Sequence, residues 1–439
     1  MLKYPTVNVL WWCYDLLVCV VALCYLPVYA VQGKLHRGLG MRLGCYPASV
    51  MSRLDGRPLL WIHAVSVGEA LAARPFVEAL RARYPTYQLL VSTVTATGQQ
   101  VAARWLTDRD LLCYWPLDVG AVWRRAMDRC QPRALIVLES ELWPNALRWC
   151  AARGVPVVLI NGRISERSFR RYRRVRPLAR WIVRQPQLAL MQTDEDARRL
   201  RALGAEPSRV RVTGNLKFDG ATLADDEADA SALRRTLGLA DDAWLVIGGS
   251  THPGEERVLL DAYEHLRRDW TRVRLLLAPR HVERAAAVES LMRAAGHAVV
   301  RCSQGAASPA ASSGAGGPPV LLVDTIGQLR HLYRLATIVV MGGSFIKHGG
   351  QNPLEAAAVG KAVIVGPHME NFREIVEQLV HAQAAVQVRD GQALLATCRL
   401  WLRQPKQREA VGQRARALVE RQTGATQRTL DALGSVLLH

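Results

Sequence analysis

From residue 58 onward, short apolar runs rich in branched residues alternate with longer amphipathic stretches. Continuous apolar runs are typical of strands that are buried on both faces of a sheet, and the stretches between them favour helices. In the first half of the chain, the predicted strands are Leu59–Ala64, Leu89–Val94, Ala134–Leu138, Val157–Ile160 and Leu188–Gln192. The helices predicted among them are Glu69–Arg83, Gly98–Trp105 and Val119–Cys130. Strands and helices in this order predict a parallel α/β sheet.

The apolar period is lost around Asp219–Asp229, where the sequence turns acidic, and a second α/β series follows. Its predicted strands are Trp244–Gly248, Arg274–Ala278, Ile338–Met341 and Ala362–Val365. Ser303–Pro319, which is rich in Ala, Ser, Gly and Pro, predicts a loop within this series. We therefore expect two Rossmann-like, doubly wound domains, 35–222 and 223–439, joined by a hinge near 220–232. Such a fold places the ligand site in the cleft between the carboxyl ends of both sheets.

The N-terminal segment Val9–Val31 is almost wholly apolar and carries aromatic residues near both ends. It predicts a membrane anchor within residues 1–34. Both a tilted span and a helix in the membrane interface stay open, because Asp15 would cost roughly 2.5–3.5 kcal/mol at mid-bilayer. A cleaved signal peptide is the alternative. Basic residues follow the segment while only Lys3 precedes it, so the positive-inside rule places the rest of the chain in the cytoplasm.

The composition is that of a globular protein, with 439 residues of which 50% are apolar and 22% are charged. It excludes collagen-like, low-complexity and disulfide-scaffold proteins. The net charge of +19 predicts an anionic partner. Nucleic acid, an acidic membrane surface and a phosphorylated substrate all fit, and composition does not choose among them. The nine cysteines form no C-x-x-C pair and predict reduced thiols in a cytosolic protein.

Three charged residues of the first domain follow predicted strands. Glu69 begins a helix after a glycine turn, where it either stabilises the helix N-terminus or acts as a general base whose pKa the terminus should lower. Glu139 directly follows the strand Ala134–Leu138, and packing alone does not explain the two acids there, Glu139 and Glu141, although one of them could cap a helix. Lys217 lies beside the hinge, where it is either a surface lysine or the counter-charge of a phosphate or carboxylate.

A basic segment follows the strand Val157–Ile160 and contains a single acidic residue, Glu166. Its nine arginines cannot all pair within helices, so they predict an external anion. They are Arg163, Arg167, Arg170, Arg171, Arg173, Arg174, Arg176, Arg180 and Arg184. Because no RNA-binding or zinc-finger pattern accompanies them, acidic lipid head groups or substrate phosphates are favoured over nucleic acid.

The second domain has polar turns directly after three predicted strands, namely Gly248–Gly254, Pro279–His281 and Gly342–Ser344. Their amides, hydroxyls and cation predict a phosphate site at helix N-termini, although no Walker A sequence or full G-x-G-x-x-G occurs. Asn352–Glu355 predicts a helix start with Asn352 as the N-cap, and Glu355 there either caps the helix or binds ribose hydroxyls. The acid-x-acid sequences at 108–110 and 194–196 adjoin predicted helix starts and are interpreted as caps, so no metal is predicted.

One ordered set of motifs runs through both predicted domains. It consists of Ser66–Glu69, Glu139–Asn145, Gly214–Asp219, Pro279–His281, Asp324–Gly327, Gly342–Ser344 and Gln351–Glu355. Together these motifs closely resemble the bacterial Kdo transferases of lipid A biosynthesis, where Kdo is 3-deoxy-D-manno-octulosonic acid. The resemblance runs from the N-terminal segment to about residue 380, and the ordered set is what makes it specific.

The resemblance implies a GT-B fold and a metal-independent, inverting glycosyltransferase that needs no cofactor. It implies transfer of Kdo from CMP-Kdo to a lipid IVA-type acceptor at the cytoplasmic face of the inner membrane, in lipopolysaccharide biosynthesis. By matching motif, Glu69 would be the proton acceptor, and Glu139 and Lys217 would stabilise the transition state. The implied contacts of CMP are Pro279, Arg280, Ile326, Gly327, Gln328, Asn352, Pro353, Leu354 and Glu355.

The arginines considered for contact with the acceptor or the membrane are Arg163, Arg170, Arg171, Arg173 and Arg174. The expected partners are therefore CMP-Kdo, lipid IVA and the anionic lipids of the inner membrane, and not nucleic acid. Two alternatives stay open. A nucleotide-sugar epimerase of the same fold would need neither an anchor nor the arginines, and a membrane-bound nucleic-acid or adaptor protein would not need Glu69.

Overall fold

The computed structural model describes residues 5–31, 38–220, 230–304, 317–325 and 327–437. The chain divides into two compact units, unit 1 with Met1–Gly220 and Gln422–His439, and unit 2 with Ala221–Arg421. Each unit contains a seven-stranded sheet of parallel strands, which confirms the predicted pair of α/β domains. The predicted hinge coincides with the boundary between the units, but its residues 221–229 lie outside the described part of the chain.

Unit 1 begins with helices and then alternates strands with helices. Its strands are β1 Leu59–His63, β2 Gln88–Thr93, β3 Leu111–Tyr114, β4 Ala134–Leu138, β5 Val157–Gly162, β6 Leu188–Met191 and β7 Val210–Val212. Its helices up to Gly220 are α1 Pro5–Val31, α2 Leu39–Arg42, α3 Ala48–Met51, α4 Val67–Arg83, α5 Ala96–Ala103, α6 Gly120–Cys130, α7 Pro144–Ala152, α8 Glu166–Arg174, α9 Arg176–Val183, α10 Asp194–Leu203 and α11 Leu216–Asp219.

The strand order of the first sheet is β3-β2-β1-β4-β5-β6-β7. Every residue of β1, β2, β4, β5 and β6 is buried, because helices cover both faces of the sheet. The chain moves outward from β1 to β3 and then returns to pair β4 with β1. The strand order therefore reverses between β1 and β4, and open α/β sheets bind their ligands at the carboxyl ends of such strands.

Unit 2 repeats this organisation. Its strands are β8 Trp244–Thr251, β9 Val273–Pro279, β10 Val299–Arg301, β11 Val320–Leu322, β12 Ile338–Met341, β13 Ala362–Val365 and β14 Ala385–Gln387. Its helices are α12 Ala230–Thr236, α13 Glu255–Asp269, α14 Ala285–Ala294, α15 Leu329–Leu332, α16 Leu354–Ala358, α17 Arg373–His381 and α18 Gly391–Arg403, followed by α19 Pro405–Gln422. The sheet order is β10-β11-β9-β8-β12-β13-β14, which reverses between β8 and β12.

The last helix, α20 Ala425–Leu437, belongs to unit 1. Its buried residues Leu430, Leu433 and Leu437 pack in the same apolar cluster as Leu60 of β1. The Asp219 carboxylate also accepts a hydrogen bond from the Gly424 backbone N–H at 2.7 Å, directly before α20. The structure thus differs from the predicted domain 223–439, because burying this apolar helix face takes the last residues of the chain back to unit 1.

Helix α1 is bonded to unit 1 along one side. The Tyr14 hydroxyl donates a hydrogen bond to the Asp118 carboxylate at 2.8 Å, and the rings of Trp11 and Trp181 meet edge to face with centroids 5.1 Å apart. Other apolar side chains of α1 are exposed, for example Leu16 at 66%. Among the residues that the structure describes, none of the helices combines the length and the apolar character needed to cross a membrane. The predicted membrane anchor stays a prediction.

Candidate active site

The candidate site of unit 1 lies where the strand order reverses. Glu69 stands in the first turn of α4, directly after β1, and Glu139 is the first residue after β4. Lys217 lies in α11, after β7. All three follow the carboxyl ends of parallel strands, as the sequence predicts, and the structure brings them to one edge of the sheet.

Glu69 is buried, with only 8% of its surface exposed. Its carboxylate accepts hydrogen bonds from the Val65 backbone N–H at 2.8 Å and from the Ser66 hydroxyl at 3.2 Å, while its own N–H donates to the Ser66 Oγ. This is a reciprocal capping arrangement at the start of α4. Glu69 therefore does stabilise the helix terminus. Whether it can also act as a base depends on its pKa.

Burial, together with the nearby charges of Glu139 and Glu141, raises the pKa of Glu69 to about 8, although the hydrogen bonds from Val65 and Ser66 act to lower it. The expectation that the helix terminus lowers this pKa is wrong, because loss of hydration and the two acidic neighbours outweigh it. A carboxyl group that titrates near neutral pH is matched to general-base catalysis. The acid-base character of Glu69 thus depends on residues far from it in sequence.

Glu139 and Lys217 form an ion pair, with the Lys217 Nζ 2.9 Å from the Glu139 Oε1. Their side chains are only 15% and 20% exposed, so solvent screens the pair incompletely. The backbone of Glu139 is left-handed, at φ 55°, which a non-glycine residue adopts at some cost in energy. Its N–H donates to the Ile160 carbonyl at 3.0 Å, and this bond to the end of β5 holds the conformation.

Lys217 is held by hydrogen bonds to Asn161 of β5 and to Asn215, which follows β7. The Asn161 Oδ1 accepts a hydrogen bond from the Leu216 N–H at 3.0 Å, and the Asn215 Oδ1 accepts one from the Lys217 N–H at 3.0 Å. The Asn215 side chain in turn donates to the Gln192 Oε1. These hydrogen bonds fix the start of α11 and therefore orient Lys217.

Glu141 is the second carboxylate after β4, and the sequence motif gave no reason to separate its role from that of Glu139. Its carboxylate accepts a hydrogen bond from the Trp143 indole N–H at 2.8 Å. Burial raises the pKa of Glu141, partly offset by that bond. Glu141 therefore contributes to the negative potential that acts on Glu69.

The basic segment forms α8 and α9, whose arginine side chains are largely exposed. Arg170 pairs with Glu166 at 2.8 Å, and Arg173 lies over the Phe169 ring. Arg171 and Arg174 are exposed in the same helix, and Arg163 is half-buried just before it. One acid serves several arginines, so most of this positive charge faces solvent, as the composition predicts.

In unit 2, the predicted phosphate turn Gly342–Ser344 is already occupied by a protein carboxylate. Glu255, which is 2% exposed, accepts hydrogen bonds from the backbone N–H groups of His252, Gly343, Ser344 and Phe345 at 2.6–2.9 Å. The prediction that these glycine-turn amides bind a phosphate is wrong, because Glu255 satisfies them from within. The sequence shows Glu255 only as an acid at a helix start.

Arg280 and Glu355 lie in one electrostatic neighbourhood at the edge of the second sheet. Burial raises the pKa of Glu355, and the charges of Arg330 and Arg280 oppose this shift. The Asn352 Oδ1 accepts a hydrogen bond from the Leu354 N–H at 3.1 Å, so Asn352 caps the start of α16. Arg280 is exposed, with its backbone N–H bonded to the Thr251 carbonyl. An exposed cation can bind the phosphate of a nucleotide, and a carboxylate beside it can accept hydrogen bonds from the hydroxyls of the ribose.

The other residues that the resemblance implies differ in accessibility. Pro279, Pro353 and Leu354 are buried, so their contribution to a ligand is restricted to the backbone. Gly327, at φ 87°, and Gln328 are exposed at the start of α15. Ile326 lies outside the described residues.

A group of histidines near Arg280 was missed by the sequence reasoning. The rings of His252 and His348 lie 3.9 Å apart and those of His252 and His281 lie 6.0 Å apart, between centroids. Burial, together with the charges of the neighbouring histidines and arginines, lowers the pKa of His252 to about 4. Two of these histidines, His252 and His281, lie in the motifs Gly248–Gly254 and Pro279–His281. Only the glycines, the hydroxyls and the arginine of those motifs were interpreted from the sequence.

Two family models match this chain. One is described as "3-Deoxy-D-manno-octulosonic-acid transferase (kdotransferase)" and matches residues 37–220, and the other, "Glycosyl transferases group 1", matches residues 320–418. The first covers the carboxylates and Lys217, and the second covers the segment of α15 and α16. The two matches therefore fall on both candidate regions.

Curated relatives include the 3-deoxy-D-manno-octulosonic acid transferases of Haemophilus influenzae and Bordetella pertussis. The former is 32% identical over 95% of this chain and 96% of the relative, and the latter is 36% identical over 85% and 86%. Among solved structures, the UDP-GlcNAc 2-epimerase from Neisseria meningitidis, bound to UDP-GlcNAc, matches with a TM-score of 0.54 at 12% identity, covering 86% of this chain and 100% of that one.

The epimerase likeness shows the fold alone, and together with the two parallel sheets it supports the predicted GT-B class. Sequence identity of this size over nearly the whole length separates the transferases from the epimerase. The chain therefore belongs to the 3-deoxy-D-manno-octulosonic acid transferase family and is a glycosyltransferase.

Proposed function

We propose that this enzyme transfers Kdo from CMP-Kdo to a lipid IVA-type acceptor in lipopolysaccharide biosynthesis. The observation that carries the proposal is the buried Glu69 with its pKa near 8, beside the Glu139–Lys217 pair, in a chain of this family. An enzyme that joins a sugar to a hydroxyl needs a base of this kind, whereas a binding protein does not.

In the proposed reaction, the Glu69 carboxylate takes the proton of the attacking acceptor hydroxyl. The acceptor oxygen forms a bond to the anomeric carbon of Kdo, and the bond from that carbon to the CMP phosphate oxygen breaks. CMP leaves with the electron pair, so the configuration at the anomeric carbon is inverted. Burial of Glu69 favours this proton transfer, because a poorly hydrated carboxylate is a stronger base than a fully hydrated one.

Lys217 and Glu139 are proposed to stabilise the transition state as a unit. The donor sugar carries a carboxylate, and its anomeric carbon becomes cationic as the phosphate leaves. The Lys217 ammonium and the Glu139 carboxylate lie 2.9 Å apart. The carboxylate can stabilise the cationic carbon and the ammonium an anionic group, and neither side chain has to move to do so.

The nucleotide is proposed to bind to unit 2, at Arg280, Gly327, Gln328 and the start of α16. The exposed Arg280 guanidinium suits the phosphate, and the half-buried Glu355 suits the ribose hydroxyls. Ile326 is retained in the proposed contact set by its motif. The histidine group of His252, His281 and His348 lies beside Arg280 and adds donors for an anionic ligand.

We also propose that the enzyme works at the cytoplasmic face of the inner membrane, with α1 and the basic helices α8 and α9 against its surface. Trp11 of α1 contacts Trp181 of α9, so exposed apolar residues of α1 and exposed arginines lie on adjacent elements. Val175 and Leu178 are 48% and 47% exposed within that basic segment. Apolar side chains among cations are the composition that binds anionic lipid surfaces.

Incubating the purified full chain with CMP-Kdo and lipid IVA in detergent micelles tests this proposal. We expect CMP release that depends on the acceptor, and a product whose mass exceeds that of the acceptor by whole Kdo residues. The Glu69→Gln variant is the matched control, because it keeps the shape of the side chain. An epimerase would instead convert UDP-GlcNAc without an acceptor, and that result, or CMP release without a glycosylated lipid, would refute the proposed function.

A further inference from the structure

The acidic residue inside the apolar N-terminal segment has a specific position in the structure. We infer that Asp15 is a positioning residue for the catalytic motif Glu139–Asn145, so that α1 is part of the active-site scaffold as well as a candidate membrane element. The inference rests on the proposed function for its assay. Its structural basis lies entirely within unit 1.

Asp15 is bonded to two elements of unit 1. Its Oδ1 accepts a hydrogen bond from the Asn145 side-chain amide at 2.7 Å and another from the Gly120 backbone N–H at 3.1 Å. Gly120 is the first residue of α6, so Asp15 places a negative charge at a helix N-terminus, where it is stabilising. A Cβ atom at position 120 would lie 2.9 Å from the Asp15 Oδ2, so a larger residue there would displace the carboxylate.

Asn145, the last residue of the motif, is fully buried; its N–H groups donate within the protein, whereas its Oδ1 has no hydrogen-bond partner among the residues that the structure describes. Its side-chain amide donates to Asp15 and to the Asp118 carbonyl at 2.7 Å each, and its backbone N–H donates to the Asp118 carboxylate at 3.1 Å. The same carboxylate accepts from Tyr14 of α1. Asn145 therefore connects the motif to α1, directly through Asp15 and indirectly through Asp118 and Tyr14.

The segment between Glu139 and Asn145 is short and internally bonded. The Glu141 N–H donates to the Leu138 carbonyl at 3.3 Å, and the Leu142 N–H donates to the Ser140 carbonyl at 2.8 Å. A shift at the start of α7 is therefore passed along this turn to the two carboxylates that act on Glu69. Misplacement of a catalytic group by about 1 Å can reduce a rate by up to ~10²-fold.

If α1 served only to contact lipid, its bonds to Asn145 would have no effect on turnover. If Asp15 positions the motif, losing its carboxylate should lower kcat while leaving nucleotide binding in unit 2 unchanged. Two variants distinguish lipid contact from positioning of the motif. One removes the hydrogen bonds of Asp15, and the other changes only a side chain on the exposed face of α1.

The experiment compares Asp15→Ala with Leu16→Ala in the full chain, using CMP-Kdo with lipid IVA in detergent micelles and rates normalised to the CMP-binding stoichiometry. Leu16 is 66% exposed and is the adjacent matched control. For Asp15→Ala we expect kcat to fall between about tenfold and 100-fold, with the KM for CMP-Kdo within about twofold of wild type. Leu16→Ala should keep the wild-type kcat. Asp15→Asn keeps an acceptor oxygen and should recover most of the rate.

Gly120→Ala provides a second perturbation that leaves Asp15 in the chain, because its methyl group displaces the carboxylate. It should reproduce the loss of kcat. Unchanged kcat in both Asp15→Ala and Gly120→Ala, or an equal loss in Leu16→Ala, would overturn the inference. A wild-type enzyme that transfers no Kdo would refute the proposed function instead, so the two failures are distinguishable.

Discussion

Replacing Glu69 with Gln should abolish turnover and, at alkaline pH, stabilise the fold. Gln matches the shape of the protonated acid but cannot accept the acceptor proton. A general base contributes about 10²–10⁴-fold, so we expect kcat to fall by that factor. CMP binding should be unchanged, because the residues proposed to contact the nucleotide are in unit 2.

The pH dependence of the wild-type enzyme follows from the raised pKa of Glu69. With a pKa of about 8, the ionised fraction rises from about 1% at pH 6 to about 50% at pH 8. If Glu69 is the base, kcat/KM should therefore increase roughly fiftyfold over this range. An ordinary carboxylate would give a flat profile there.

The same shift predicts the effect on stability. From an ordinary value of 4.5 to about 8, ionisation in the folded protein is disfavoured by roughly 5 kcal/mol. Between these pH values the unfolded chain releases the Glu69 proton while the folded chain keeps it, so the free energy of unfolding falls as the pH rises and is level above pH 8. Glu69→Gln avoids this loss and should be more stable than wild type at pH 9, with no difference at pH 4.

Steady-state kinetics from pH 6 to pH 9, together with urea midpoints at pH 4 and pH 9, measure these effects. A variant that keeps more than about a third of the wild-type rate would remove Glu69 from the mechanism. A wild-type profile that is flat from pH 6 to pH 8, with equal urea midpoints at pH 9, would refute the argument that burial and acidic neighbours set this pKa.

Further predictions concern the other charged groups. Lys217→Met leaves the Glu139 carboxylate without its counter-charge and should lower both kcat and the thermal midpoint, with partial recovery in Lys217→Arg; an unchanged midpoint in calorimetry would contradict this. Arg280→Ala should weaken CMP binding by roughly 1.5–3 kcal/mol in isothermal titration, and equal affinity would move the nucleotide site elsewhere. Changing four exposed arginines to Gln should weaken salt-sensitive binding to anionic vesicles in co-sedimentation without altering CMP affinity, whereas salt-independent binding would assign the arginines another role. These are Arg170, Arg171, Arg173 and Arg174.

Much of the sheet architecture could be predicted from sequence, because parallel strands buried on both faces leave continuous apolar runs. Five strands of the described chain were missed, namely β3, β7, β10, β11 and β14. β7 is an edge strand of Val210–Val212 with two exposed residues, so it has no apolar run to detect. The return of α20 to unit 1 has no local signal either, since an amphipathic helix does not reveal which sheet its apolar face covers.

The positions of the three charged candidate residues in the fold could be predicted from sequence, but their electrostatics could not. A residue that follows a strand can be placed at the edge of a sheet, which brought Glu69, Glu139 and Lys217 together. The pKa of Glu69 depends on burial and on charges that approach only after β4 pairs with β1. Glu255 was missed for the same reason, because the amides that it accepts from come from a turn nearly ninety residues later.

The discontinuity of unit 1 has a consequence for biosynthesis. Unit 2 is continuous in sequence, from Ala221 to Arg421, whereas the apolar cluster around β1 is completed only by Leu430, Leu433 and Leu437 of α20. These residues follow unit 2 in the chain, so during translation unit 2 can finish folding while unit 1 still exposes part of its core. The usual order, in which the N-terminal domain folds first, is therefore reversed for the final step. A chain that loses α20 would keep all residues of unit 2 but leave the core of unit 1 open and prone to aggregation.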